Sequence, residues 1–163
     1  MIKSGIGYDV HKLVKGKRLV LGGIEVPYEY GLEGHSDADV LIHSVIDAII
    51  GALGKGDIGL HFPDTDPQYK DINSMFLLKE VFSWMKADGY VINNIDSVII
   101  AQRPKLSPYI PEMRKNIANV LEVYIESINI KATTTEGLGF CGRGEGIAAL
   151  SIVTLIKEHK DGY

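Results

Sequence analysis

Asp9 and His11 lie two residues apart near the start of the chain, and His43 follows in an apolar stretch. Because side chains alternate between the faces of a strand, Asp9 and His11 would project from the same face. Two imidazoles and one carboxylate are a ligand set suited to a catalytic zinc ion with one position left open. Taken singly, the Asp-x-His pair could be an ordinary strand edge and His43 a hydrogen-bonded core histidine.

The segment around His43 is typical of a buried helix over residues 39–53. It is apolar nearly all round except for Asp39, His43 and Asp47, which are four residues apart and therefore form one stripe. A polar stripe on a buried helix needs partners. We expect Asp47, one turn from His43, to orient the imidazole of His43.

His35 and Ser36 stand just before this helix. Ser36 or Asp37 can cap the helix, and His35 can be a surface loop residue. Alternatively, the Ser36 hydroxyl, the His35 imidazole and the positive end of the helix would lie beside the metal, where they would suit an anionic ligand.

A second polar group is the run Thr133–Glu136, which is followed by a glycine-rich loop containing Arg143. Threonine runs are common in strands, and glycine-rich loops can be merely flexible. Hydroxyls, a carboxylate and close backbone N–H groups together favour phosphate and divalent-cation binding, although the Walker A pattern is absent. A third group, residues 101–107, follows the end of a predicted strand and includes Pro104 and Lys105. Lys105 could bind a phosphate, but most lysines in such positions are simply solvated.

The elements that must position these groups alternate between strands and helices. Periodicity and turn residues predict strands over 2–11, 18–21, 24–26, 95–101, 128–135 and 147–156, helices over 39–53, 74–88 and 111–124, and loops over 27–34, 56–70 and 137–146. This order predicts one α+β domain, residues 1–163, built as a two-layer sandwich in which helices cover one face of a mixed sheet.

The opening strand carries two glycines, Gly5 and Gly7, on the face that holds Asp9 and His11. Missing side chains leave room for something to approach the backbone there. The opposite face is apolar; it carries Ile2, Ile6, Tyr8 and Val10.

Composition limits the class of protein. The chain has 163 residues, a formal net charge of -4 and a single cysteine, Cys141. No long basic run suggests a nucleic-acid partner, and no stretch reaches the length of a membrane span. One cysteine fits a reducing compartment, and the first residues read as a strand rather than a signal peptide. We expect a cytoplasmic protein.

Together these segments resemble the 2-C-methyl-D-erythritol 2,4-cyclodiphosphate synthase family over essentially the whole chain. The motifs that carry the resemblance are Tyr8–His11, Gly34–Asp39, Asp57–Gly59, Phe62–Pro67, Ala101–Lys105 without the variable Arg103, Lys131–Glu136 and Gly142–Gly146. Any one of these motifs could arise by chance, but the presence of all of them in the order found in the family is highly specific.

The resemblance implies a cyclising, CMP-releasing phosphorus–oxygen lyase that depends on metal ions. Its substrate would be 4-diphosphocytidyl-2-C-methyl-D-erythritol 2-phosphate, whose 2-phosphate attacks its own β-phosphate in isoprenoid precursor synthesis. By family analogy, Asp9, His11 and His43 bind Zn²⁺, and Glu136 helps to hold a second divalent ion, Mg²⁺ or Mn²⁺. His35 and Thr134 would position phosphates and stabilise the transition state. The cellular setting implied is the bacterial cytoplasm.

The resemblance also assigns the remaining substrate contacts. The pocket for the erythritol and its phosphate would comprise Ser36, Asp57, Ile58, Gly59, Phe62, Pro63, Asp64, Thr65 and Asp66, besides Asp9, His11 and His35. The cytidine side would comprise Ala101, Gln102, Arg103, Pro104, Lys105, Leu106 and Ser107, with Thr133 and Thr135 nearby. Thr134 and Glu136 would also contact the substrate.

Family members are homotrimers in which sheets meet and active sites lie between subunits. The metal half and the cytidine half would then come from different chains. Phe140, Arg143 and Glu145 resemble residues around a central cavity that can hold an isoprenoid diphosphate, with Arg143 as the anion partner. Gly137 stands where many relatives carry lysine, and Cys141 replaces a commoner threonine; neither change removes a metal ligand.

Two other functions remain open. A zinc-dependent phosphodiesterase or phosphatase would use metal-bound water as nucleophile, although the extra ligands of a two-metal hydrolase are lacking. A trimeric isoprenoid-diphosphate-binding module would keep the metal as a structural element. The retention of Asp9, His11, His43 and Glu136 speaks against that module.

Overall fold

A computed structural model describes residues 1–158, so residues 159–163 of the predicted domain lie outside the described part. The strands are β1 (Ile2–Lys15), β2 (Leu19–Leu21), β3 (Ile24–Val26), β4 (Tyr30–Leu32), β5 (Tyr90–Ile100), β6 (Ile128–Thr133) and β7 (Gly146–Lys157). The α-helices are α1 (Val40–Leu53), α2 (Ile58–His61), α3 (Ser74–Ala87), α4 (Ile110–Val120) and α5 (Gly139–Gly142), and short 3₁₀ turns cover Pro67–Tyr69 and Ile125–Ser127.

Five strands form one sheet in the order β4-β1-β7-β5-β6, and β2 pairs with β3 in a separate hairpin. β5 and β6 run parallel, whereas the other neighbours are antiparallel. Helix α1 packs across β1 and β7, and α3 and α4 extend the helical layer toward β5 and β6. The predicted α+β class and mixed sheet are therefore confirmed.

Two glycines of β1 determine how closely the helical layer approaches the sheet. A Cβ atom added at Gly5 would lie 2.0 Å from the carbonyl oxygen of Ala48, and one at Gly7 would lie 1.9 Å from that of Ser44. The space that the sequence left open on this face is thus filled by the backbone of α1 rather than by a ligand. This close packing brings α1, and His43 with it, onto the face that carries Asp9 and His11.

The opposite face of the sheet is apolar and uncovered in the single chain. Ile2 is 70% exposed, Ile6 64% and Tyr8 54%, and Val10, Ile152 and Ile156 are also exposed. The buried core lies on the other side, between the sheet and the helices. Such a contiguous apolar surface is unusual for a protein that stays monomeric.

Several predicted boundaries were wrong. Residues 30–32, predicted as loop, form β4 because they pair with Leu13–Lys15 at the end of a longer β1. β5 begins at Tyr90 rather than residue 95, and α4 ends at Val120 rather than residue 124. The irregular stretches contain the short helices α2 and α5.

Candidate active site

Three predicted ligand atoms converge where β1 meets α1. Asp9 Oδ2 lies 2.9 Å from His11 Nε2 and 3.0 Å from His43 Nδ1, and the two nitrogens are 3.1 Å apart. A tetrahedral ion with bonds of about 2.0–2.1 Å holds its ligand atoms about 3.3 Å apart. The three atoms therefore fit around one zinc-sized ion with little movement. Asp9, His11 and His43 form the only such metal-ligand group among residues 1–158.

Each imidazole is held by a hydrogen bond at its far nitrogen. His11 Nδ1 lies 2.9 Å from the carbonyl oxygen of Glu33, which can only accept, so Nδ1 donates and Nε2 is the nitrogen available to a metal. His43 Nε2 lies 2.8 Å from Ser74 Oγ and 3.1 Å from Ser36 Oγ. Bonds of this kind orient ligating histidines.

The expected role of Asp47 was wrong. Its Oδ1 atom accepts a hydrogen bond of 2.9 Å from the backbone N–H of Ile58, and it therefore holds the start of α2. Ser74, at the start of α3, contacts His43 instead. Helical spacing placed Asp47 on the stripe of His43 but could not reveal a partner from another helix.

Asp39 caps α1, which corrects the expectation that Ser36 or Asp37 would do so. Its side chain accepts from the backbone N–H groups of Ile42, Gly22 and Gly23, and so also fastens the β2–β3 hairpin to the helix. Burial, together with the charge of Asp37, raises the pKa of Asp39 to about 6, although the three N–H donors act in the opposite direction.

Asp9 and His11 shift each other's proton affinity. Burial would raise the pKa of Asp9, but hydrogen bonds and charge from His11 and His43 prevail and lower it to about 2. Burial likewise disfavours protonated His11, but the hydrogen bond and charge of Asp9 raise the pKa of His11 above its ordinary value. The cluster thus keeps an ionised carboxylate ready for a cation.

The three ligands open onto a cavity of about 470 Å³. Its lining includes the predicted residues His35, Ser36, Ile58, Gly59, Phe62, Pro63 and Asp64 and three that the sequence did not indicate, Gly34, Tyr69 and Leu77. Phe62 stacks on Trp84 with ring centroids 5.6 Å apart and meets Tyr69 edge-on at 5.4 Å. These aromatic contacts hold the loop after α2 against α3.

Three other residues predicted for this pocket do not line it, and two of them cap short helical segments. Asp57 caps α2, and Asp66 caps the 3₁₀ turn that follows. The carbonyl oxygen of Asp66 lies 2.8 Å from His35 Nε2, so the backbone of this loop orients the imidazole. Thr65 lies in the same loop and, like Asp57 and Asp66, does not line the cavity.

The predicted cytidine residues line a separate cavity of about 430 Å³. It is formed by Ala101, Gln102, Arg103, Pro104, Lys105, Leu106 and Ser107 with Ala132, Thr133 and Thr134. His35 and Thr134, the two predicted catalytic residues, thus lie on different cavities of one chain.

The loop after β6 is tied to the second cavity. The Gln102 Oε1 atom accepts from the N–H of Gly137 at 3.1 Å, and Thr135 Oγ1 donates to the carbonyl oxygen of Leu138. Glu136 adopts a left-handed backbone with φ of 53°. A non-glycine residue in that region is uncommon, and such positions often occur at functional sites.

Phe140 lines a third cavity, of about 390 Å³, with Val10, His11, Lys12, Glu145 and Gly146. Arg143 does not line it; its guanidinium forms an ion pair of 2.8 Å with Glu145. No helix within residues 1–158 has the length and apolarity needed to cross a membrane.

Comparison with known proteins identifies the family. A sequence model of the YgbB family matches residues 2–156. The chain belongs to the YgbB family. It is 60% identical over 154 residues to the 2-C-methyl-D-erythritol 2,4-cyclodiphosphate synthase of Desulforamulus reducens, covering 94% of this chain and 98% of the relative. The synthase of Clostridium acetobutylicum is 61% identical over 95% of this chain and all of that protein.

Solved structures of YgbB family relatives share the fold. The IspF of Plasmodium falciparum, solved as a CDP complex, superposes with a TM-score of 0.86 at 35% identity and covers 97% of both chains. The bifunctional IspDF of Campylobacter jejuni gives a TM-score of 0.93 at 47% identity over 98% of this chain. This chain corresponds to 43% of that longer protein.

Proposed function

We propose that the chain is a 2-C-methyl-D-erythritol 2,4-cyclodiphosphate synthase. The observation that carries the proposal is the convergence of Asp9, His11 and His43 at the rim of a cavity built from the loops around His35 and Phe62. The identity of about 60% to named synthases supports the same conclusion.

The reaction rearranges one substrate molecule and consumes no water. In 4-diphosphocytidyl-2-C-methyl-D-erythritol 2-phosphate, an oxygen of the 2-phosphate forms a bond to the β-phosphorus. The bond from that phosphorus to the α,β-bridging oxygen breaks, and CMP leaves with the bridging oxygen. Such a transfer needs in-line alignment and neutralisation of charge rather than a protein nucleophile.

Asp9, His11 and His43 would hold a zinc ion. The donor set fits because each far nitrogen is hydrogen-bonded, which leaves His11 Nε2 and His43 Nδ1 to bind the ion beside an ionised carboxylate. When bound, the ion supplies Lewis-acid neutralisation of phosphate charge. Glu136, on the loop held by Gln102, is the residue that would help to hold a second divalent ion, Mg²⁺ or Mn²⁺.

Residues of the two cavities would contact different parts of the substrate. His35, with its Nε2 atom at the carbonyl oxygen of Asp66, and Ser36 would contact phosphate oxygens, while the loop through Phe62 would enclose the erythritol. The second cavity, with Lys105 at its edge, would take the cytidine, and Thr134 would contact the diphosphate from that side.

We infer that the working enzyme is a homotrimer with active sites between subunits. The uncovered apolar face of β1 and β7 supports association through the sheets. The separation of the metal cavity and the cytidine cavity within one chain supports a site completed by a neighbouring copy. A central cavity lined by Phe140, with Arg143 nearby, could take an isoprenoid diphosphate. We further propose one synthase domain over residues 1–163 and a cytoplasmic location in a bacterium.

Product analysis tests the proposal. Incubation of the zinc- and magnesium-loaded protein with the substrate should release CMP and give the two coupled ³¹P resonances of a cyclic diphosphate. Chelator-treated protein should lose activity and regain it with added zinc, whereas His43→Ala should stay inactive. Linear phosphate products would favour a hydrolase, and tight isoprenoid-diphosphate binding without turnover would favour a binding module. Full turnover by His43→Ala would refute the metal role.

A further inference from the structure

Asp37, Ser74 and His43 form a chain of hydrogen bonds that ends at the metal-ligand group. Ser74 Oγ donates to Asp37 Oδ1 and lies 2.8 Å from His43 Nε2. The backbone N–H of Ser74 donates to Asp37 Oδ2 at 3.0 Å, and that of Asp39 donates to Asp37 Oδ1 at 3.1 Å. Asp37 is thereby fixed by three donors, and Ser74 is fully buried.

The direction of these bonds determines the tautomer of His43. A serine hydroxyl has one proton, and the Asp37 carboxylate can only accept, so the Ser74 proton points to Asp37. Ser74 Oγ then faces His43 with lone pairs only. His43 Nε2 must therefore carry a proton, which leaves Nδ1, 3.0 Å from Asp9 Oδ2, as the ring nitrogen that can bind a metal.

The second hydroxyl at His43 does not replace Ser74. Ser36 Oγ lies 3.1 Å from His43 Nε2 and accepts from the N–H of Ala38 at 3.2 Å. If Nε2 lacked a proton, Ser36 could donate to it, but the lone pairs of Ser74 would then face that of Nε2 at 2.8 Å. Only the Nε2-protonated ring satisfies both contacts.

We propose that Ser74, oriented by Asp37, is a positioning residue that sets the tautomer of His43 and aims its Nδ1 lone pair at the metal. Asp37 and Ser74 lie outside the metal ligands and outside the set of residues predicted to contact substrate. Their role rests on the proposed function, because it acts through the metal centre. Loss of a partner of this kind typically weakens metal affinity about 10–100-fold.

Ser44 offers a matched control. It is also a fully buried serine and follows His43 on α1. Its hydroxyl donates to the carbonyl oxygen of Leu41 at 2.8 Å and lies 2.6 Å from Ser151 Oγ, away from the metal ligands. Ser44→Ala therefore removes a buried hydroxyl of the same kind without touching the Asp37–Ser74–His43 chain.

Zinc affinity of the full-length protein should be measured by competition with a chromogenic chelator in the wild type, Ser74→Ala, Ser44→Ala and His43→Ala. We expect a loss of about 10–100-fold in Ser74→Ala and less than about 3-fold in Ser44→Ala. Imidazole ¹⁵N NMR at pH 8 without metal should show His43 protonated at Nε2 in the wild type and a population that lacks the Nε2 proton in Ser74→Ala.

The outcomes separate the two proposals. Equal affinity of Ser74→Ala and the wild type, with His43→Ala still impaired, would overturn the positioning role alone. Equal losses in Ser74→Ala and Ser44→Ala, with an unchanged His43 tautomer, would also overturn it, because general destabilisation would then explain the effect. Equal zinc binding by the wild type and His43→Ala would show that His43 is not a metal ligand and would overturn both proposals.

Discussion

Replacement of Gly7 by alanine should displace His43 without altering any residue of the metal centre. The added Cβ would lie 1.9 Å from the carbonyl oxygen of Ser44 and 2.7 Å from the backbone nitrogen of Ala48. Ordinary contact requires about 3.5 Å, so β1 and α1 must separate by roughly 1.5 Å. Backbone atoms cannot avoid the clash by changing rotamer.

The size of the effect follows from this displacement. Overpacking of this kind costs about 1–3 kcal/mol, and a clash with helix backbone belongs at the upper end. At roughly 2–4 °C per kcal/mol, Gly7→Ala should melt about 6–12 °C below the wild type. Because metal–ligand distances tolerate only about 0.2 Å of change, we expect zinc affinity to fall by at least about 100-fold.

Gly51→Ala is the matched control for this prediction. Gly51 lies on α1, the helix against which Gly7 packs. The nearest atom to a Cβ added at Gly51 is the carbonyl oxygen of Ile6, 3.9 Å away. Alanine in a helix is more favourable than glycine by up to about 1 kcal/mol, so this variant should keep or gain stability and bind zinc normally. Calorimetry and chelator competition on both variants check the prediction. A Gly7→Ala protein with the melting temperature and zinc affinity of the wild type would refute the reasoning.

Three further predictions concern charge and assembly. The raised pKa of Asp39, about 6, means that the native state holds a proton which the unfolded chain releases from about pH 4 upward. Relative to Asp39→Asn, wild-type unfolding free energy in urea should therefore fall by about 2 kcal/mol between pH 4.5 and pH 7; parallel profiles would contradict this. Because the pKa of His11 is raised by Asp9, zinc binding at pH 6.5 should release more than half a proton, measured by calorimetry in buffers of different ionisation enthalpy. Ile6→Lys, on the uncovered sheet face, should convert a trimer into monomers by sedimentation velocity and abolish turnover; an active monomer would disprove the intersubunit site.

The sequence was most informative where the decisive geometry is local. The alternation of a strand was enough to place Asp9 and His11 on one face, and the polar stripe on an apolar helix indicated that His43 had partners. It failed where the partner comes from elsewhere in the chain. Ser74 lies on the next long helix, 31 residues after His43, and no spacing rule connects them.

Contacts between residues that are far apart in the sequence also explain why β4 was not predicted and why the packing of α1 on β1 was unexpected. Tyr30–Leu32 is short and follows a proline-containing turn, so only its register with β1 makes it a strand. Gly5 and Gly7 signalled a close approach, but the sequence could not show that the backbone of α1 makes it. The division of the predicted site residues between two cavities likewise depends on the tertiary fold.

The central claim is that the substrate's own phosphate, and not water, attacks the β-phosphorus. Turnover in H₂¹⁸O followed by mass spectrometry of both products tests this claim most directly. The proposed reaction predicts CMP and a cyclic diphosphate that both lack solvent oxygen, because each phosphate oxygen originates in the substrate. One ¹⁸O atom in CMP, or in a linear phosphate product, would show that water is the nucleophile and would contradict the proposed function.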